Sequence, residues 1–440
     1  MKRIVSILCL IALLLGCGTL LSGCNRMKDD GVGSVYFLNF KPEQDAQWKV
    51  LAKAYTEETG VPVTVVTAAS GSYEDTLAAE IVKSNPPTLF QVNGPVGLAS
   101  WKDYCYDLSQ SAVYSQLTDE DFALKKDDMV YGIAYVLETY GIIYNKSILD
   151  RYFALPDAKI TSLQQVNNFD SFSTLVTDIQ SKKETLGIAG AFTSSGMDSS
   201  SDWRFKTHLA NLPIYYEYMD NDVDTASEIK GTYLEQYRKV WDLYLNNATC
   251  APAEIGAKTQ DDAKNEFVNG QAVFYQNGTW AWDETMEEKI GAENVGMLPI
   301  YIGAEGEEDQ GLCTGSENYW CVNKQASEED IQATLAFLNW IVTSETGTKM
   351  MAEDMGFVIP FEKAQDSTNP LIKEAESYLE AGKDPVAWSF STIPGDQWKD
   401  GVGSVLLAYA QGGMTDELWG KMKEAFVDGW KSLYNTVNGK

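Results

Sequence analysis

Histidine is nearly absent from this chain: among 440 residues only His208 carries an imidazole. Zinc sites that need two or three imidazoles, and nucleophilic triads built on a histidine base, have almost no material to work with. His208 therefore reads as structural rather than catalytic. Basic charge is scarce as well. Lys and Arg number 34 against 63 Asp and Glu, a formal charge of −29, and no Lys/Arg cluster offers a local exception. A surface that acidic repels nucleic acid and anionic lipid. Cysteine is thin: beyond Cys24 the sequence has only Cys105, Cys250, Cys313 and Cys321, with no C-x-x-C. They are too few and too scattered for a disulfide scaffold, and spacing leaves open whether Cys313 and Cys321 pair or all four stay as buried thiols. There is no G-x-x-x-x-G-K-[ST] phosphate loop, no internal repeat and no low-complexity segment.

What is present is material for large cores, with 44% apolar and 12% aromatic residues in a length that suggests two or three domains. The N-terminus has the layout of a secretory signal. Lys2 and Arg3 precede an apolar run from Ile4 to Leu15, and a small-residue segment ends at Leu21-Ser22-Gly23-Cys24. Those four residues resemble the lipobox of bacterial lipoproteins, which implies diacylation of Cys24 and a mature chain that starts there. The alternative is an uncleaved anchor, since Ile4 to Leu21 is almost long enough to span a bilayer. Residues 24–33 then form a polar tether.

Further on, helical and strand periodicities alternate. Val35 to Phe40 reads as a strand, Trp48, Leu51, Ala52 and Tyr55 as one helical face stopped by Gly60, and Val61 to Thr67 as a second strand. A helix from about Ser72 to Ser84 ends at Asn85-Pro86-Pro87, and Thr88 to Val92 is a third strand. This β-α-β-α-β series implies a mostly parallel sheet whose ligands bind at the carboxyl ends of the strands. Those ends carry Asn39 to Glu43, Ala69 to Tyr73 and Asn93-Gly94, which makes Glu43, Tyr73 and Asn93 candidate site residues. A second α/β series follows Ser147, with a helix around Val166 to Ile179, a strand at Leu186 to Phe192, a polar loop at Thr193 to Asp202 followed by Trp203, and a helical stripe from Tyr233 to Tyr244. Helical stripes at Ile331 to Ile341, Val402 to Tyr409 and Leu418 to Leu433 complete the chain.

Between the two series lies Tyr131 to Lys146, a strand-like stretch interrupted by a single acid, Glu138. Either Glu138 points to solvent from an edge strand or it is a buried carboxylate supplied with donors. The stretch resembles the first interdomain crossover of family 1 extracellular solute-binding proteins of bacterial ABC transporters, the sugar-binding lipoproteins that include the maltodextrin-binding proteins. A second match is Phe267 to Trp282, with Asn277-Gly278-Thr279-Trp280 resembling the family's x-Gly-x-Trp segment. The family's Pro-x-Thr-Trp-x-Glu is here Ile160-Thr161-Ser162-Leu163-Gln164-Gln165, without the tryptophan. The resemblance implies an α/β, two-lobed periplasmic-binding-protein-like fold of type II, each lobe a mostly parallel sheet flanked by helices, joined by a multi-crossing hinge. It places 34–138 with 316–358 in one lobe and 139–315 with 359–440 in the other.

It further implies that Glu138 faces the ligand cleft and that Trp280 stacks on a sugar. Sugars demand flat apolar platforms together with carboxylate and amide groups, which aromatics and acids supply. Of twelve tryptophans, Trp203, Trp280, Trp320 and Trp398 lie in or beside expected loops and element starts, and Trp398 is the weakest carry-over because the tail aligns only with a gap. The expected function is a carbohydrate-binding subunit of an ABC importer, held at the outer face of the cell membrane by its lipid, a monomer, without cofactor or metal. Its partners would be the permease and a separate ATPase. Two rival readings stand beside it: a secreted glycosidase using paired carboxylates, although Glu43, Glu138 and Glu317 stand largely apart in sequence, and a surface adhesin marked by an exposed apolar patch.

Overall fold

The computed structural model describes residues 31–69 and 72–437; the signal segment and the Leu21 to Cys24 motif lie outside them. Two six-stranded sheets organise the chain. The first is built from β1 (Val35–Asn39), β2 (Val63–Thr67), β3 (Leu89–Asn93), β4 (Ala123–Lys126), β5 (Met129–Ala134) and β11 (Asn318–Val322), in the order β2-β1-β3-β11-β5-β4. The second contains β6 (Glu138–Asn145), β7 (Gly190–Phe192), β8 (Ala272–Gly278), β9 (Val295–Leu298), β10 (Gln310–Gly315) and β12 (Asp384–Ala387), in the order β12-β10-β6-β8-β7 with β9 also on β6.

Both sheets are mixed rather than mostly parallel. β1 lies parallel to β2 and β3, as single intervening helices require. The strands that carry the chain back from the other lobe run the opposite way: β11 is antiparallel to β3 and β5, and β6 to β8, β9 and β10. The β4–β5 hairpin adds one more antiparallel pair, turned by Asp127 and Asp128 at φ of 53° and 63°.

Helices cover both faces of each sheet, so each lobe has two cores. The helix Asp45–Thr59 buries Trp48, Leu51, Ala52 and Tyr55 and ends at Gly60 in the left-handed region, where glycine carries no steric cost. It packs Tyr55 5.0 Å from Phe337 and 5.3 Å from Trp340 of the helix Glu328–Thr343. Trp48 meets Trp320 at 6.2 Å, and Trp320 stacks on Tyr135 at 4.7 Å. In the second lobe Trp398, Trp419, Trp430, Phe426 and Tyr237 form an aromatic core. The expected strand Leu186 to Phe192 is shorter, because Lys183–Leu186 closes as a helical turn before Gly190. No helix among the described residues is long and apolar enough to cross a membrane.

The chain changes sheet three times: between Ala134 and Glu138, between Gly315 and Asn318, and after Phe361. Leu137 donates its N–H to Val358 at 2.7 Å, tying the first and third crossings together. Cys313 and Cys321 sit on opposite sides of the second crossing, in different sheets, and all four cysteines are free thiols.

Candidate functional site

The site forms where the crossings meet the carboxyl end of the first sheet. After β1, Asn39 clamps the following loop, donating from Nδ2 to the Lys41 carbonyl at 2.7 Å and accepting from the Lys41 N–H at 3.2 Å. That turn aims Lys41 inward. Its ammonium reaches both oxygens of Glu138, at 2.7 and 2.9 Å, and lies 3.6 Å from Glu43. Lys41 and Glu138 are 6% and 4% exposed, so this is a buried ion pair that joins the first lobe's loop to the opening residue of the second lobe's central strand. Burial alone would lower the Lys41 pKa, but the carboxylates of Glu138 and Glu43 outweigh it and hold it above the ordinary value. Burial pushes Glu138 up, and Lys41 offsets only part of the rise. Of the two readings of Glu138, the structure selects the buried carboxylate supplied with donors.

Facing this pair from the second lobe is a group of aromatic rings. Trp280 sits in the turn Thr279–Ala281 after β8, and Trp203 precedes the helical turn Arg204–Leu209. Their centroids are 6.1 Å apart. Trp388 stands 6.4 Å from Trp280 at 87°, and Phe390 lies 5.0 Å from Trp388. His208 is the hub. It stacks on Tyr140 at 4.2 Å and on Phe390 at 5.1 Å, and meets Trp203 and Trp280 edge-on at 4.9 and 5.6 Å. Burial, with Lys399, Lys41 and Arg204 nearby, lowers its pKa to about 3, so it is a neutral ring at physiological pH. Two glycines make room for the indoles: a Cβ on Gly278 would fall 2.2 Å from the Trp280 ring, and one on Gly315 would fall 2.6 Å from that of Trp388. The Lys41 ammonium lies 5.8 Å from the Trp280 centroid, which places charge and platform side by side across the lobes.

Phe390 also lines a cavity of about 270 Å³ walled from both lobes, by Glu74, Asn93 and Ser100 on one side, Ser391, Pro394 and Lys399 on the other, and Glu317 of the second crossing between them. Here the lobes touch, and a side chain on Gly94 would come within 3.3 Å of Ser391 Cβ.

Five of the eight residues expected from sequence converge on this region: Glu43, Asn93, Glu138, Trp203 and Trp280. Three sit elsewhere. Tyr73 is buried in the first lobe, its hydroxyl accepting from the Gln91 N–H at 2.7 Å and reaching the Leu38 carbonyl. Trp320 is sealed between Tyr135 and Trp48, because β11 is an interior strand whose alternate residues enter the core. Trp398 packs on Phe426 and Trp430 and donates to the Phe426 carbonyl at 2.7 Å. Sequence reasoning missed Lys41 and Trp388. Lys41 lies inside the strand-end segment 39–43, where a lone lysine in an acid-rich chain is a signal; Trp388 follows a strand too short to show a period. The three acids that stand apart in sequence are gathered in space, with Glu43 and Glu138 sharing Lys41 and Glu317 feeling its charge. No cluster among the described residues has the composition to hold a metal ion.

The family model for bacterial extracellular solute-binding proteins matches residues 50–381. A multiple sugar-binding protein of Streptococcus mutans is 25% identical over 280 residues, spanning 60% of this chain and 62% of the relative's length. Among solved structures, a chitin oligosaccharide binding protein aligns with a TM-score of 0.70 at 14% identity, covering 93% of this chain and all of the other. RafE in complex with raffinose aligns at 0.70 with 16% identity, over 90% and 99% of the two chains. A putative binding protein from Bacillus subtilis in an open conformation aligns at 0.66 with 15% identity, over 93% and 100%. At such identities the structural likeness speaks for the two-lobed fold.

Proposed function

The chain belongs to the bacterial extracellular solute-binding proteins, and on that footing we propose that it captures a carbohydrate between its lobes as the binding subunit of an ABC importer. The observation that carries this reading is the pairing of Lys41 and Glu138 with the indole of Trp280 across the cleft. An indole offers a flat apolar face to the C–H patch of a sugar, and ionised groups beside it make hydrogen bonds to hydroxyls that are stronger than neutral ones. The family is one of binders rather than a class of enzyme. Both oxygens of Glu138 are engaged by one ammonium, so this residue is not free to act as the proton donor that glycosidase chemistry needs.

Capture proceeds as the lobe of the first sheet closes on the lobe of the second about the three crossings, with Glu138 on the second-sheet side and the chain through Phe361 on the first. The ligand contacts come from Glu43, Lys41, Asn93, Glu138, Trp203, Trp280 and Trp388. Transport energy comes from a partner ATPase through a membrane permease, and diacylated Cys24 keeps the subunit at the outer face of the membrane.

Calorimetry of the mature chain against a panel of oligosaccharides tests the reading. Saturable binding without consumption of the sugar is expected, and turnover by the pure protein would replace capture with hydrolysis. Cys24→Ala should release the chain from the membrane fraction; unchanged fractionation and lipid labelling would remove the anchor.

A further inference from the structure

Glu317 occupies the two-residue crossing between β10 and β11 and lines the interlobe cavity. Its backbone is pinned, the carbonyl accepting from the Gly94 N–H at 3.0 Å. Its carboxylate is not. Two ammoniums act on it, those of Lys399 and Lys41, yet each is held by another acid: Lys399 pairs with Asp396 at 3.1 Å, and Lys41 with Glu138 at 2.7 Å. Among the described residues the Glu317 side chain makes no hydrogen bond or ion pair of its own. Two other acids line the cavity: Asp396, which holds Lys399, and Glu74, which is occupied by the indole N–H of Trp101 at 2.8 Å. Glu317 is therefore the acceptor left over where cations are already matched. The cavity, at about 270 Å³, lies just under the roughly 300 to 1,000 Å³ of ligand pockets. That is room for one ring-sized unit, next to the aromatic group through Phe390.

We propose that Glu317 is the specificity-determining residue of the cleft: the cavity takes a saccharide unit that presents hydrogen-bond donors, favours an amino-substituted unit over a neutral one, and rejects a uronic unit. The inference rests on the carbohydrate reading and names the ligand chemistry within it. A partly buried carboxylate with no partner gains from a hydroxyl and gains more from a protonated amine, because a charge-assisted bond replaces the water it gave up. A second carboxylate placed beside it would face a like charge in a site whose two ammoniums are spoken for, and such built-in repulsion is how a cleft discriminates.

The test is calorimetry of the mature chain with trisaccharides matched in linkage and carrying only hydroxyls, one amino group or one uronic carboxylate, repeated with Glu317→Gln. The expected order of affinity is amino, neutral, uronic, with at least tenfold between the ends, and Glu317→Gln should shrink that ratio at least fivefold while raising the thermal midpoint slightly, since it removes an unmatched charge. Glu317→Ser serves as a second variant should the amide fail to fold. A uronic ligand that binds as tightly as the amino one, or a ratio unchanged in either variant, overturns the inference while leaving carbohydrate capture intact. Failure of every trisaccharide to bind overturns both.

Discussion

At the scale of single residues the site turns on one buried ion pair. Two charges removed from water repay their desolvation only through each other, so deleting one leaves the other stranded at a cost of about 3 to 5 kcal/mol, whereas replacing both with neutral groups of similar shape is often close to neutral. Lys41→Met and Glu138→Gln should each lower the unfolding free energy by roughly that amount, and the double variant should lose far less than their sum. Denaturant unfolding of the four proteins closes the cycle; additive losses would show that the contact carries no coupling. His208 makes a second prediction through pH. Its native pKa of about 3 lies below the unfolded value of about 6.5, so its contribution is fully present above pH 6.5 and is lost as pH falls toward 3, when the unfolded chain takes up a proton that the native state refuses. The slope is about 1.4 kcal/mol per pH unit. Buried acids such as Glu74 and Glu317 shift in the opposite sense, but they are common to the native chain and His208→Phe and cancel in the difference. The stability gap between the two proteins should therefore move in favour of the variant from pH 6.5 to 4.5, and a gap independent of pH would place His208 in a hydrated setting. Glu138 was legible because a lone acid in an apolar run needs donors; its donor was not, since Lys41 lies 97 positions away and nothing in local spacing links them.

At the scale of elements, the tryptophans show why position and not composition selects a platform. Trp203 and Trp280 were legible from loops and turns, and their rings lie together, with Trp280 beside the Lys41 ammonium of the other lobe. Trp320 and Trp398 also lie beside element starts, yet one faces inward from an interior strand and the other lies on the buried stripe of the helix Asp396–Gln411. Which face a strand residue takes depends on neighbours brought in by the topology, and the antiparallel return of β11 is not written in its own five residues. The turn after β8 is more informative. Gly278 is needed because the Trp280 ring lies where its side chain would be, so Gly278→Ala should displace the indole without removing it. Its affinity for sugar should fall in line with Trp280→Ala, for which a lost buried platform of about 1 to 3 kcal/mol means roughly fivefold to 150-fold weaker binding. Calorimetry of both variants checks this, and a Gly278→Ala protein that binds normally would show that the turn can yield without moving the ring.

At the scale of the whole molecule, element order made two lobes and their crossings readable. Mixed sheet direction was not readable, because strands that return from the other lobe look like any other apolar run. The first two crossings, 135–137 and 316–317, are short, so the balance between open and closed forms rests on the contacts that bridge the lobes. Lys41 contributes to that balance directly: it leaves the first lobe, bonds the first residue of the second sheet and lies against a second-lobe indole. A desolvated ammonium over an indole is worth about 0.5 to 2 kcal/mol, enough to move a two-state population roughly twofold to 30-fold. The Lys41→Met/Glu138→Gln double variant keeps the volume of the pair and removes its charge, so it should fold and stand more open than the native chain. Small-angle scattering in the absence of ligand should give it the larger radius of gyration, and the two curves should converge where a bound sugar supplies the bridge instead. Superimposable curves without ligand would mean that closure is set at the Gly94 and Ser391 contact, and that the buried pair braces the hinge without steering it.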